Sequence, residues 1–182
     1  MNDLIPERNK MLGVCYALTD DGLELPVIDI THSAFAVDFE AIDLDELIDS
    51  FVASLERSAR TPAEMMRAVA AKSILIRGML ESADTYTTGL VTYLHKLGPE
   101  NLGEGYATPI DRQWATGLTP LTFRWRMRDI AHLLADRLSP LLESRPGAPL
   151  DLMNIGGGPA ADSFNALLVM AGRSRQALAG RR

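Results

Sequence analysis

Three consecutive glycines, Gly156-Gly157-Gly158, followed by Pro159, are the feature that most limits how this chain folds. Together they stop a helix, because glycine loses the most freedom on ordering and proline lacks the N–H a helix needs. Ahead of them stands Pro149-Leu150-Asp151-Leu152-Met153-Asn154-Ile155, a short and mostly apolar run. Such a run is expected of a strand buried on both faces of a parallel sheet. Beyond them, from Asp162 to about Met170, helical composition returns. Strand, glycine turn and helix in that order form the opening unit of a nucleotide-binding α/β fold. The glycines let a ligand approach the backbone amides, and the helix N-terminus offers free N–H groups and a partial positive charge.

The rest of the chain reads differently. Asp43 to about Ala59 sets Leu44, Leu47, Ile48, Phe51, Val52 and Leu55 at helical spacing, with Asp43 as the N-cap. Thr61-Pro62-Ala63-Glu64 has the form of a capping box with proline at the first helical position. It predicts one helix to about Glu81, burying Met65, Met66, Val69, Ile74, Ile76 or Leu75, and Met79. A further helix is expected over Ala83–Leu97, ending at Gly98-Pro99. Residues 99–119 are rich in glycine and proline and read as a long structured connection, with one turn of helix at Pro109–Trp114. The helical period resumes from Pro120 to Glu143, with Pro140 expected to kink or interrupt its end. Residues 145–149 read as a linker. Leu23–Phe35 reads as a short extended segment, placed at an edge by Pro26. The first twenty residues show no period and read as a leader. The expected fold is therefore mainly α, with a C-terminal βα unit: a helical region over 1–148 and a partial α/β unit over 149–182.

Charge and length narrow the function. At 182 residues, 47% hydrophobic and 23% charged, the chain has the composition of a globular domain rather than a disordered one. Net charge is −6, and Asp20–Glu56 holds 11 acidic residues with no Lys or Arg. That balance argues against nucleic-acid binding, which depends on neutralising phosphates. Arg173, Arg175, Arg181 and Arg182 read as a solvated tail. No apolar run approaches the roughly 18 residues of a membrane helix. The N-terminus also lacks the basic-then-apolar plan of a signal peptide. Cys15 is alone, so no disulfide framework or thiolate metal site is expected, and the chain reads as cytoplasmic.

Among chemistry-bearing residues, His32, His95 and His132 lack metal-site spacing, and Ser163 lies in no nucleophile elbow. Arg124 and Arg128 share a helix face and read as pairing with Asp129 or with the acidic Asp20–Glu56 segment, with one of them reaching a cofactor or substrate carboxylate as the alternative. Tyr86, Tyr93, Tyr106, Trp114 and Trp125 read as packing residues, with lining an acceptor pocket as the alternative. No catalytic residue is assigned.

The glycine run is not a P-loop, because no Gly-Lys-Ser/Thr follows, and it fits Gly-x-Gly-x-x-Gly poorly. Leu152-Met153-Asn154-Ile155-Gly156-Gly157-Gly158-Pro159-Ala160 instead resembles motif I of the class I S-adenosylmethionine-dependent methyltransferases. In that alignment Gly156 and Gly158 take the invariant glycine positions, Gly157 lies between them, and Pro159 matches the usual proline. Ala160 stands at the third glycine. Asn154 stands where the family usually carries Asp or Glu, though it too can accept a hydrogen bond. The resemblance implies S-adenosylmethionine as cofactor, held by Asn154, Gly156, Gly157, Gly158, Pro159 and Ala160. It also implies a Rossmann-like sheet, in-line displacement at the sulfonium carbon, a small-molecule methyl acceptor and a helical lid that includes 118–129.

A class I core has seven strands, and 33 residues follow Pro149. The chain thus reads as the front part of a methyltransferase, not catalytically complete by itself. The alternative reading is a non-catalytic helical protein whose apolar faces and unpaired strand bind another chain or a second copy, as in a homodimer.

Overall fold

The computed structural model describes residues 10–149, 151–155, 158–174 and 178. Among them are seven α-helices and one two-stranded antiparallel sheet. β1 (Tyr16–Leu18) pairs with β2 (Glu24–Pro26) in the register Tyr16↔Pro26, Ala17↔Leu25, Leu18↔Glu24. The Thr19 hydroxyl accepts from the Leu23 amide and Gly22 takes a left-handed φ of 78°, so the polar tip closes on itself. β1 therefore places part of the expected leader in the fold; residues 1–9 lie outside the described residues. Pro26 ends the second strand, where its missing N–H breaks no ladder bond.

α1 (Leu44–Arg60) begins where Asp43 accepts from the Glu46 amide at 3.0 Å. The single helix expected over 61–81 is two: α2 (Ala63–Ala70) and α3 (Ile74–Glu81). The Thr61–Glu64 box does not form, because the Thr61 hydroxyl donates backwards to the Arg57 carbonyl at 2.7 Å and closes α1 instead. Ser73 then opens α3, accepting from the Ile76 amide. α4 (Gly89–Leu97) starts later than Ala83, at the cap Thr88, and ends at Gly98, whose φ is +85°. Within the glycine-rich connection, α5 (Pro109–Ala115) carries a reciprocal capping box between Thr108 and Asp111. α6 (Leu118–Ser144) runs past Pro140, so the expected interruption is absent. α7 (Ala161–Arg173) follows the glycine turn.

One core gathers Leu25, Ile28 and Phe35 from the N-terminal segment with Leu75, Leu94, Leu97, Leu102, Tyr106, Met127 and Ala161. α7 packs along α6. Ala131 and Ala135, four apart on α6, and Ala166 on α7 are fully buried, and their small side chains let the two helices approach closely. Buried Asn165 then ties the N-terminal segment down, accepting from the Ile30 amide at 2.8 Å and donating to the Ile28 carbonyl at 3.1 Å. Tyr93 does the same from α4, accepting from the Ile28 amide and donating to the Pro26 carbonyl.

The strand expected over 149–155 is not formed by residues 151–155. Leu152, Met153 and Ile155 are 43%, 86% and 86% exposed. A strand exists only where a neighbour shares its N–H and C=O groups. The described strands are β1 and β2, which pair with each other. The described residues thus form a mainly helical fold with a small hairpin, and the Rossmann-like sheet implied by the resemblance is not among them.

Candidate functional site

The glycine turn stands at the entrance to α7. Gly158 has φ +56°, and Ala160 adopts φ 53° and ψ 25°, the one described non-glycine residue with positive φ. L-residues pay roughly 1–2 kcal/mol to enter that region, so both positions favour glycine. Ala160 is the helix N-cap and supplies no side-chain hydrogen bond, which leaves the first-turn amides of α7 without a side-chain cap. A Cβ placed on Gly158 would meet only Thr92 Cγ2, at 4.0 Å, so space above the turn is open.

Asn154 sits beside this entrance, its side-chain amide donating to the Ser163 hydroxyl at 3.3 Å. Asn154, Gly158 and Pro159 are exposed and Ala160 half-buried. Gly156 and Gly157 lie outside the described residues. The sequence pattern missed two residues of α4 that underlie the turn, Thr92 and Lys96. Lys96 is 4% exposed and sits 3.4 Å from Asp162 in the first turn of α7. Its signal was a charge set among the apolar residues Val91, Leu94 and Leu97, a pattern that asks for a buried partner.

The other residues considered from sequence do not converge here. His95 Nε2 accepts from the Trp114 indole at 3.1 Å. Indole only donates, so the ring proton of His95 sits on Nδ1 and goes to the Val91 carbonyl at 2.6 Å. Burial holds the pKa of His95 below its usual value, outweighing the Val91 hydrogen bond. Tyr106 donates to the Glu24 carbonyl, and burial pushes its hydroxyl up to about 12. Tyr86 is exposed, and Trp125 packs on Phe39 at 4.7 Å between ring centroids. Arg128 pairs with Asp129 at 2.8 Å and lies 4.3 Å over Phe39, inside the acidic segment. Arg124 lies against Gly98 and is half-buried.

Two grooves lie elsewhere on the described surface. One, of about 390 Å³, runs along α6 past Trp125, Arg126, Ile130 and Leu133. The other, of about 290 Å³, lies between α1 and α6 and includes Leu47, Leu121 and Arg124. No group of three or more His, Cys, Asp or Glu that could hold a metal occurs among the described residues. No described helix is long and apolar enough to cross a membrane.

No protein-family model, curated protein or solved structure matches this chain.

Proposed function

We propose that this chain carries the helical front region and the cofactor loop of a class I S-adenosylmethionine-dependent methyltransferase acting on a small-molecule acceptor in the cytoplasm. The observation that carries the reading is a coincidence of position. Two places where the motif has glycine, Gly158 and Ala160, are the two left-handed residues at the entrance to α7 among the described residues. Backbone conformation and sequence pattern thus ask for the same residue type at the same places.

The residues present fit the methionine end of the cofactor. The uncapped amides at the start of α7 suit a carboxylate, and the Asn154 amide oxygen suits an ammonium group. Lys96 balances Asp162, so the first turn does not present an unpaired acid to an arriving anion. When bound, S-adenosylmethionine supplies an electrophilic methyl group. The chain's own part is to hold and orient.

Calorimetric titration with S-adenosylhomocysteine tests this directly. Saturable heat is expected from the wild-type chain and is expected to vanish in Gly158→Val while thermal unfolding stays within a few degrees. No heat from the wild type, or heat unchanged by the substitution, contradicts the reading.

A specific observation favours a second reading, a helical interaction protein. α1 buries none of its residues fully, and Leu44, Ile48, Val52 and Leu55 are 36–53% exposed on one face. An apolar stripe of this kind marks a contact surface.

A further inference from the structure

We infer that the outward stripe of α1 docks on the outward stripe of α6 in a second copy of this chain, to give a dimer. The inference rests on the interaction reading and is independent of cofactor binding.

The two stripes are chemically complementary. On α1 the exposed Leu44, Ile48, Val52 and Leu55 form one face, and Asp45, Asp49 and Glu56 run as a row beside it at helical spacing. None of these three acids forms an ion pair among the described residues. On α6, Arg126, Ile130, Leu133, Arg137 and Leu141 follow one another at intervals of four, three, four and four. They line one face, and Leu133 and Leu141 are both 56% exposed.

The acids flanking that face are already engaged: Asp129 by Arg128 at 2.8 Å and Asp136 by Arg173 at 2.6 Å. Arg126 lies 5.3 Å over the Phe123 ring, and neither it nor Arg137 has an acidic partner among the described residues. The net charge left on this face is therefore positive.

The spacing also agrees. Asp45 and Glu56 are eleven residues apart on α1, as are Arg126 and Arg137 on α6. At the rise of a helix both separations are about 16 Å. Laid antiparallel, Asp45 meets Arg137 and Glu56 meets Arg126; Val52 then falls opposite Ile130 and Ile48 beside Leu133, and Leu44 is the stripe residue nearest Leu141.

Within one copy the stripes do not meet. Glu46, Leu47 and Ser50 of α1 line the groove that also holds Leu121 and Arg124, so the stripe faces outward. The acidic row would be repelled by nucleic-acid phosphates and by anionic lipid, which disfavours both as occupants.

The test is analytical ultracentrifugation across a concentration series with two charge-reversed chains, Asp45→Lys/Glu56→Lys and Arg126→Glu/Arg137→Glu. The wild type is expected to dimerise, more weakly as salt rises. Each reversed chain alone is expected to dimerise at least about tenfold more weakly. An equimolar mixture of the two restores every opposite-charge contact and is expected to recover the dimer, which also shows that both variants are folded. Dimerisation unchanged in the reversed chains overturns this surface while leaving the interaction reading standing. A wild type that stays monomeric throughout overturns the dimer.

Discussion

Ser73 donates its hydroxyl to the buried carboxylate of Asp111, so the residue that caps α3 is held by a residue in the first turn of α5. Asp111 also accepts from the Leu75 amide at 3.1 Å, the Thr108 amide at 3.0 Å and the Thr108 hydroxyl at 2.8 Å. Burial raises the pKa of this carboxyl, but the hydrogen bonds from Ser73, Thr108 and Leu75 outweigh it and hold the group below its usual value.

Asp111→Ala strands these donors in the core and is expected to cost roughly 2–4 kcal/mol, read by urea unfolding. The native contribution is complete above the ordinary carboxylate range and is lost as pH falls through the lowered folded pKa. A substitution that costs under about 0.5 kcal/mol would mean that Asp111 does not hold these donors in a buried site.

Gly78 of α3 faces Val91 of α4 so closely that an added Cβ would collide with both Val91 methyl carbons. An exposed helical Gly→Ala gains about 1 kcal/mol. Here Gly78→Ala is expected to lose about 1–3 kcal/mol instead. Combined with Val91→Ala, the pair should cost less than the sum of the two single changes. Strict additivity would place the two helices further apart.

His95 gives a pH signature of known sign. Its folded pKa lies below the usual value, so from about pH 6.5 downward the unfolded chain binds a proton that the folded chain refuses. Stability is therefore expected to fall as pH drops from 7.5 to 5.5. His95→Phe, which cannot titrate, should flatten that slope in chemical unfolding. The same slope in both chains would mean that His95 is not buried neutral.

Ala160 occupies a left-handed conformation suited to glycine. Ala160→Gly is expected to raise stability by about 0.5–1 kcal/mol, the relief of strain exceeding the added entropy of the unfolded chain. Destabilisation by the same change would contradict the left-handed geometry.

Legibility in the sequence followed the range of the forces involved. α1, α5 and most of α6 were readable because Asp43, the Pro109 segment and the apolar period are local signals. Thr61-Pro62-Ala63-Glu64 misled because Thr61 had a competing acceptor, the Arg57 carbonyl one turn back. Ser73 opened a new helix for a tertiary reason, since Asp111 lies 38 residues away. β1 carries only three strand residues and no apolar alternation. Residues 151–155 have the composition of a buried strand, but pairing is not local, and no described strand lies beside them. At the turn, left-handed Gly158 and the start of α7 were foreseeable from the glycine run, while the Lys96–Asp162 contact spans 66 residues.

The most direct measurement is the amide NMR spectrum of the chain titrated with S-adenosylhomocysteine. The expected result is a saturable shift of the Gly158, Ala161, Asp162 and Ser163 amides, at the uncapped entrance to α7, with the α1 amides unmoved. Shifts confined to other elements, or none at a saturating concentration, would contradict the assignment of this turn as the cofactor loop.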